Sequence, residues 1–113
     1  MPRNMSFMLT TEQARNRTKT VTHRLGWWHL KPGDIFQQVE KAMGLKRGEK
    51  VVKIHLCRVI SIKHYTMSLF SKADCDKEGF PGWSRWKFMI FFAKANKCHM
   101  MTPVNRIEFE YLD

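Results

Sequence analysis

Residues 51–62 carry the strongest strand signal in the chain, and that signal restricts the folds open to it. Val52, Ile54 and Leu56 alternate with polar residues, which is the period-two pattern of a half-buried strand. The alternation breaks down over residues 59–62, where apolar residues fall close together and predict a bulge or a bend. A sheet that contains this strand is therefore the first element of the predicted fold.

The other predicted elements are short and occur in mixed order. Strands are predicted at residues 6–9, 19–24, 35–39 and 105–112. A helix is predicted at residues 11–17 after a capping box of Thr10 and Gln13, a single turn at 67–71, and a longer helix from an N-cap at Ser84 to about residue 95. Because strands and helices do not alternate regularly, we expect an α+β fold, a small β-barrel of mixed strands flanked by two or three helices.

The longer helix carries apolar residues at positions i, i+3, i+4 and i+7. We expect these residues on its inner face: Trp86, Met89, Ile90 and Ala93. Three phenylalanines widen this apolar face, so the helix should pack firmly against a sheet. Trp86 is accordingly predicted to be structural, whereas the pattern leaves the role of Trp83 open.

The balance of charge indicates what kind of partner the chain binds. The 113 residues predict a single domain, residues 1–113, and they carry a formal net charge of +10. An excess of this size indicates an anionic partner, and nucleic acid is the commonest one for a basic domain. An acidic protein partner is one alternative, and a simple contribution to solubility is the other.

The cysteines and the apolar runs argue against several other classes of protein. Cys57, Cys75 and Cys98 lie far apart without a Cys-x-x-Cys pair, so we expect buried or half-buried free thiols, with no disulfide, no metal and no cofactor. The longest apolar run, residues 88–93, is too short to cross a bilayer. No secretory signal is visible, so we expect a cytoplasmic protein that does not bind membranes.

The second predicted strand holds the residues best suited to chemistry. In an ideal strand Thr22 and Arg24 share one face, and Lys19 lies on the other. A twist or bulge near Thr20 would be needed to bring Lys19 beside Thr22. A basic sheet edge, where lysine discourages aggregation, is the plain structural alternative. His23 should point to the face opposite Thr22, so we do not expect it to be catalytic.

The wider pattern around that strand resembles a known family. The segment Lys19-Thr-Val-Thr-His-Arg24 is followed by a Pro32-Gly33-Asp34 turn, in which glycine supplies the positive φ of a type II turn. Later, Glu78-Gly79-Phe80 precedes the long helix, and Ile107-Glu-Phe-Glu-Tyr111 forms the closing strand. In this order the motifs resemble those of the ASCH domain family, and the resemblance covers residues 6–112.

The resemblance implies both a fold and a range of activities. ASCH domains are PUA-like β-barrels with a cleft between the barrel and flanking helices, and the family is associated with RNA and nucleoside recognition. It includes bacterial amidohydrolases that deacetylate N4-acetylcytidine, a member linked to ribonuclease activity, and small phage-borne proteins without an assigned activity. By resemblance to the amidohydrolases, the catalytic residues would be Lys19, Thr22 and Glu78.

Those residue types are suited to hydrolysis of an amide. A threonine hydroxyl needs a base within hydrogen-bond reach, and a lysine can serve if burial or a nearby cation lowers its pKa. Arg24 is a candidate for that cation, or for binding substrate and the developing oxyanion. Glu78 would orient the lysine, hold a nucleobase edge or pass a proton to the leaving amine.

Further contacts to nucleic acid are predicted outside the motif strand. The connection over residues 40–50 is basic, and Lys46 and Arg47 are suited to touching phosphates. Trp28 is suited to stacking on a base, and Arg17 is a further candidate for binding. The alternatives are a solvated loop for the connection and packing beneath loops for the tryptophan.

Three functional hypotheses follow from these patterns. The first is a domain that binds RNA or a modified nucleoside in a cleft around Lys19, Thr22, Arg24 and Glu78. The second is a metal-independent amidohydrolase acting on an N4-acetylcytidine-type nucleoside. The third is a small phage-type protein that binds and inhibits an acidic host protein.

Overall fold

The computed structural model describes residues 2–42 and 44–113. Its strands are β1 (Arg3–Ser6), β2 (Val21–Arg24), β3 (Ile35–Val39), β4 (Lys53–Thr66) and β5 (Pro103–Tyr111). Its helices are α1 (Thr11–Arg15), α2 (Lys72–Lys77) and α3 (Arg85–Asn96), with 3-10 turns at Met8–Thr10 and Met67–Leu69. Met43, which belongs to the predicted connection over residues 40–50, lies outside the described residues.

The strands form one curled sheet in the order β1-β3-β4-β5-β2. β1 runs parallel to β3, whereas the other neighbouring pairs are antiparallel. The register of β4 against β5 shifts between Val59 and Ser61, which confirms the predicted bulge. Together with three helices, this half-barrel confirms the predicted α+β class and its PUA-like architecture.

Two apolar clusters pack against the sheet. The first lies under the N-terminal turn and contains Met5, Phe7, Ala14, Leu30, Phe36, Cys57, Val59, Ile107 and Phe109. The second joins α2 and α3 to β5 and contains Met67, Phe70, Cys75, Phe88, Met89, Phe92 and Val104. Because burial of apolar surface is the main favourable term in folding, these clusters fix the helices against the sheet.

Two local signals in the sequence are confirmed. The amide of Asp34 donates to the carbonyl of Lys31 at 3.0 Å, and Gly33 has a φ of +95°, as the predicted turn requires. The hydroxyl of Ser84 accepts from the amide of Lys87 at 3.0 Å and caps α3. Short-range rules succeed at these places because the partners are within three residues of each other.

The elements of the N-terminal segment end at other residues than the sequence predicts. The first strand ends at Ser6 instead of covering residues 6–9, because β3, its parallel partner, ends opposite it at Val39. A 3-10 turn follows, and it already contains Thr10, whose side chain makes no cap hydrogen bond. The predicted capping box is therefore wrong, and α1 ends at Arg15, two residues before its predicted end.

The predicted inner face of α3 was correct at Met89 and Ala93, which belong to the second cluster or pack against it, and wrong at Trp86 and Ile90. Trp86 and Ile90 are 58% and 59% exposed, whereas Phe88, Met89 and Phe92 are buried. The phenylalanines pack with other aromatic rings of the second cluster, and the helix turns so that these rings are covered. Both faces are apolar, so periodicity did not distinguish them, and Trp86 is not a core residue.

Candidate functional site

A cavity of about 210 Å³ contains the four residues that the motif predicted. Lys19, Thr22, Arg24 and Glu78 line its polar end together with His23. The remaining wall includes five phenylalanines, which come from the N-terminal turn and the residue before it, the loop before α3 and α3 itself: Phe7, Phe80, Phe88, Phe91 and Phe92. Most of the polar groups are buried, so their interactions with a ligand would be little screened by water.

Lys19 reaches the cavity because the chain is irregular just before β2. The strand begins only at Val21, so alternation along a strand does not apply to residues 19 and 20. The amide of Thr20 donates to the carbonyl of Lys77 at 2.7 Å, and the hydroxyl of Tyr111 donates to the carbonyl of Lys19 at 2.5 Å. The irregularity that Lys19 and Thr22 require to share one cavity is therefore present.

Glu78 is delivered by α2, a helix that the sequence analysis missed. Ser71 caps this helix by accepting from the amide of Asp74 at 3.1 Å. The spacing Ser71-x-x-Asp74 is a recognised start signal that would have revealed the helix. Glu78 follows its last turn, and Gly79 then reverses the chain with a φ of +102°.

The carboxylate of Glu78 binds groups on β2 and just before it. One oxygen pairs with Nζ of Lys19, which also donates to the backbone carbonyl of Glu78 at 3.1 Å. The other oxygen accepts from the backbone amide of His23 at 3.0 Å and lies 2.8 Å from Nδ1 of the same residue. Because β2 is an edge strand, this carboxylate takes the place of a neighbouring strand and satisfies a free backbone donor.

Burial and neighbouring charges shift the pKa values at this end of the cavity. Burial lowers the pKa of Lys19, the carboxylate of Glu78 opposes that shift, and Arg24 adds to it. Burial alone would raise the pKa of Glu78, but Lys19 and His23 outweigh it and bring the value to about 2. Burial lowers the pKa of Arg24 to about 10, against the influence of Glu78.

The low pKa of Glu78 makes stability depend on pH in the acid range. The folded-state pKa of about 2 lies below the usual 4.5, so the unfolded chain takes up the proton first as the pH falls. The stabilising contribution is complete above about pH 4.5 and is lost toward pH 2. We expect the free energy of unfolding to fall by about 3 kcal/mol across this range from Glu78.

Urea unfolding at a series of pH values, followed by circular dichroism, measures this effect. Glu78→Gln is the control, because the variant has no proton to gain at this position. Its free energy of unfolding should fall less steeply from pH 4.5 to pH 2 than that of the wild type. Equal slopes for the two proteins would contradict the assignment.

His23 belongs to the site, contrary to the expectation that it would point away. Its Nε2 lies 2.8 Å from the hydroxyl of Tyr65, which donates to Oδ2 of Asp74 at 3.1 Å. Arg106 donates to both oxygens of Asp74, at 2.9 and 3.0 Å. A chain of buried polar contacts thus runs from Glu78 through His23 to β4, α2 and β5. The sequence carries no local signal for it, because its members come from separate elements.

Thr22 has one neighbour that orients its hydroxyl. Its Oγ1 accepts from Nε of Arg24 at 3.1 Å, so its own proton remains available to a ligand. Within the described part of the chain, the hydrogen-bond acceptors of Lys19 Nζ are two oxygens of Glu78, and Thr22 is not among them. The arrangement therefore presents hydrogen-bond donors to the cavity.

The other predicted binding residues lie outside the cavity lining. Trp28 is 48% exposed and packs edge-on against His64, with ring centroids 5.1 Å apart. Arg17 is exposed and donates to the carbonyl of Asp113. Lys46 and Arg47 are exposed in the connection between β3 and β4. Any contact they make with a ligand is therefore made outside the cavity lining.

Residues 2–42 and 44–113 contain neither a cluster of metal-ligating side chains nor a membrane-spanning helix. Among these residues no cluster of three or more His, Cys, Asp or Glu side chains is placed to hold a metal ion. None of the helices in the same part of the chain has the length and apolar character needed to span a bilayer. Cys57 and Cys75 are buried free thiols, and Cys98 is a half-buried one.

Several solved structures share this architecture. Protein EF3133 from Enterococcus faecalis V583, of family DUF984, has a TM-score of 0.71 and 14% identity, over 100% of this chain and 77% of that one. Hypothetical protein PH0355 has a TM-score of 0.67 and 20% identity, over 99% of this chain and 100% of that one. An ASCH domain from Lactobacillus crispatus JV V101 has a TM-score of 0.64 and 13% identity, over 96% and 78%.

The similarity lies in the fold and not in the sequence. No protein-family model matches the chain, and no curated protein matches it in sequence. The structural matches extend over 96% to 100% of the chain. The chain therefore has an ASCH-like fold, as the motifs in its sequence predicted.

Proposed function

We propose that this protein binds RNA or a modified nucleoside, and that the cavity holds one nucleobase. The observation that carries the proposal is the combination of aromatic walls with converging polar groups in one small cavity. Aromatic side chains stack on bases, and the donors of Thr22 and Arg24 can bind a base edge. Drug-sized ligands occupy pockets of about 300–1,000 Å³. A volume of about 210 Å³ favours a smaller group, such as a single base.

The charge of the chain supports a polymer as the ligand. A free nucleoside has no phosphate, whereas a net charge of +10 attracts the backbone of a nucleic acid. Lys46 and Arg47 lie on an exposed connection, where they are free to contact phosphates. The base would occupy the cavity, and the surface charges would hold the strand.

The proposal that the ligand is a polymer is tested with a short single-stranded RNA. Its binding is measured by fluorescence anisotropy at several salt concentrations. We expect the logarithm of the affinity to fall linearly with the logarithm of the salt concentration, because bound phosphates release counterions. Charge reversal at Lys46 and Arg47 should weaken binding with little dependence on sequence. An affinity that does not change with salt would contradict this part of the proposal.

A matched pair of variants tests whether RNA binding uses the cavity. Ala95 lines the cavity on α3, so Ala95→Phe should fill part of it and weaken RNA binding at constant salt. Ala73 is an exposed alanine on α2 that lies outside the cavity, so Ala73→Phe is the control. Equal affinities for the two variants would show that RNA binds without using the cavity.

The second candidate function is hydrolysis of an acylated nucleobase. It is favoured by the position of Lys19, Thr22 and Glu78 in one cavity and by the lowered pKa of Lys19. In this reaction Thr22 Oγ1 attacks the amide carbonyl while Lys19 in its neutral form takes the hydroxyl proton, and that proton passes to the leaving amine. Water then hydrolyses the acyl-threonine ester and regenerates the hydroxyl.

Release of cytidine from N4-acetylcytidine and from acetylated RNA, followed by chromatography, tests this candidate. Lys19→Ala and Thr22→Val should each abolish release, because the first removes the base and the second the nucleophile. Ala73→Phe should retain the wild-type rate, since residue 73 is exposed and outside the cavity. If the wild type is as inert as Lys19→Ala, the hydrolase function is excluded for these substrates.

A further inference from the structure

At the polar end of the cavity, most hydrogen-bond acceptors already have partners within the protein. Glu78 is 3% exposed, and its carboxylate accepts from Lys19 and from the backbone amide of His23. Both ring nitrogens of His23 also have partners, one in Glu78 and the other in Tyr65. The strong acceptors at this end of the cavity are therefore largely occupied within the protein.

Several hydrogen-bond donors at the same end remain available to a ligand. Lys19 has three N–H groups, and its acceptors among the described residues are two oxygens of Glu78. The hydroxyl proton of Thr22 is free, because Oγ1 accepts from Nε of Arg24. Among the described residues, the Arg24 guanidinium donates a hydrogen bond to Thr22, and it lies over the ring of Phe7, 4.8 Å from the ring centroid. Its terminal N–H groups remain for a ligand.

A ligand at this end must consequently bring acceptors. Buried donors that find no acceptor lose the hydrogen bonds they make with water, and that loss opposes binding. An amino group of the ligand that faced Thr22, Arg24 and Lys19 would bring its own N–H donors against their donors, and no hydrogen bond would form. Ser6, Thr10 and Asn96 also line the cavity, but they belong to β1, the N-terminal turn and α3 and not to its polar end. Asn96 is exposed to water, where a hydrogen bond gains less.

We infer that the cavity selects a nucleobase that presents a carbonyl oxygen, and that it discriminates against adenine. Uracil, cytosine and guanine carry a carbonyl oxygen, whereas adenine presents ring nitrogens beside an amino donor. This inference rests on the proposed binding of a nucleobase in the cavity and adds the chemical rule of its selection. We expect adenine to bind about 10- to 100-fold more weakly than uracil, the range that one well-placed pair of hydrogen bonds confers.

The probe is a short RNA whose nucleotides are all abasic except one central position. The phosphate backbone is then constant, so any difference in affinity comes from the single base. Uracil, cytosine, guanine, adenine and a fully abasic strand are compared by fluorescence anisotropy. We expect uracil, cytosine and guanine to bind more tightly than the abasic strand, and adenine to bind about as weakly as that strand.

Thr22→Val provides the matched variant, because valine keeps the shape and removes the donor. It should reduce the advantage of uracil over adenine, because the carbonyl oxygen of uracil loses one of its donors. If this variant does not fold, the comparison of bases on the wild-type protein still decides the question.

The possible outcomes separate the inference from the function on which it rests. Equal binding of all four bases above the abasic strand would overturn the selection rule and leave nucleobase binding intact. Tighter binding of adenine would overturn the rule as well. If no base binds better than the abasic strand, binding of a nucleobase in the cavity is itself excluded.

Discussion

Glu78→Gln should lower the free energy of unfolding by about 3–5 kcal/mol, the cost of removing one partner from a buried ion pair. Both oxygens of the carboxylate accept hydrogen bonds, one from Lys19 and the other from the backbone amide of His23. A glutamine has one oxygen, so its amide group must face one of these donors. Lys19, which is 3% exposed, would then keep a buried charge without a counterion.

Urea unfolding at neutral pH measures this loss, and the chain offers a suitable control. Glu110 forms an exposed pair with Arg58 at 3.3 Å, where both side chains are about half accessible to water. Glu110→Gln should cost less than about 1 kcal/mol, as exposed ion pairs do. If the two variants lose similar stability, the carboxylate of Glu78 does not hold Lys19 and His23 together.

Gly79→Ala should be the second large effect, with a loss of about 2–6 kcal/mol from backbone strain and overpacking combined. Gly79 has a φ of +102°, a conformation that residues with a Cβ rarely adopt. An added Cβ would lie 2.6 Å from Cγ and 2.8 Å from Cβ of Gln13. Gln13 would have to move, although its carbonyl accepts from the amides of Thr18 and Lys19. The substitution should therefore disturb both sides of the Lys19–Glu78 pair.

A second glycine separates the two causes. Gly82 has a φ of +91°, but an added Cβ there would meet open space. Gly82→Ala therefore introduces backbone strain alone and should cost about 1–3 kcal/mol. In urea unfolding we expect the Gly79 variant to lose about 1–3 kcal/mol more, because only that variant is overpacked. Equal losses would mean that Gln13 moves aside freely.

Gln13 shows how a local rule can identify the right residue for the wrong reason. The sequence predicts a capping box in which its side chain reaches back to Thr10. In the structure its Nε2 donates to the carbonyl of Gly79 at 3.3 Å, a contact across 66 residues. The side-chain amide group of Gln13 can bond either the nearby backbone of Thr10 or the distant carbonyl of Gly79. Tertiary packing decided in favour of Gly79.

The two tryptophans at the start of α3 illustrate a second limit of sequence patterns. Periodicity favours Trp86 as a core residue and says little about Trp83. In the structure Trp86 is exposed under the guanidinium of Arg85, whereas Trp83 is half-buried against Phe80 with ring centroids 4.5 Å apart. A helix that is apolar on several faces does not reveal which face is covered.

The sequence by itself determined the features that depend on neighbours along the chain. The long strand with its bulge, the turn at Gly33, the cap at Ser84 and the α+β class all follow from propensity, dihedral restriction and period-two alternation. The motif residues Lys19, Thr22, Arg24 and Glu78 were also chosen from sequence, by their order and their resemblance to a family. Nothing in local geometry joins the first three to a residue more than fifty positions later.

Only the tertiary structure decided that these residues share one cavity and that His23 belongs with them. β2 became an edge strand because the sheet order places β5 on one side of it and no strand on the other within the described residues. Its free backbone donor then needed an acceptor, and α2 supplied the carboxylate of Glu78. Burial of that carboxylate required the counterion Lys19. Such requirements arise between distant segments, so they exist only once the chain has folded.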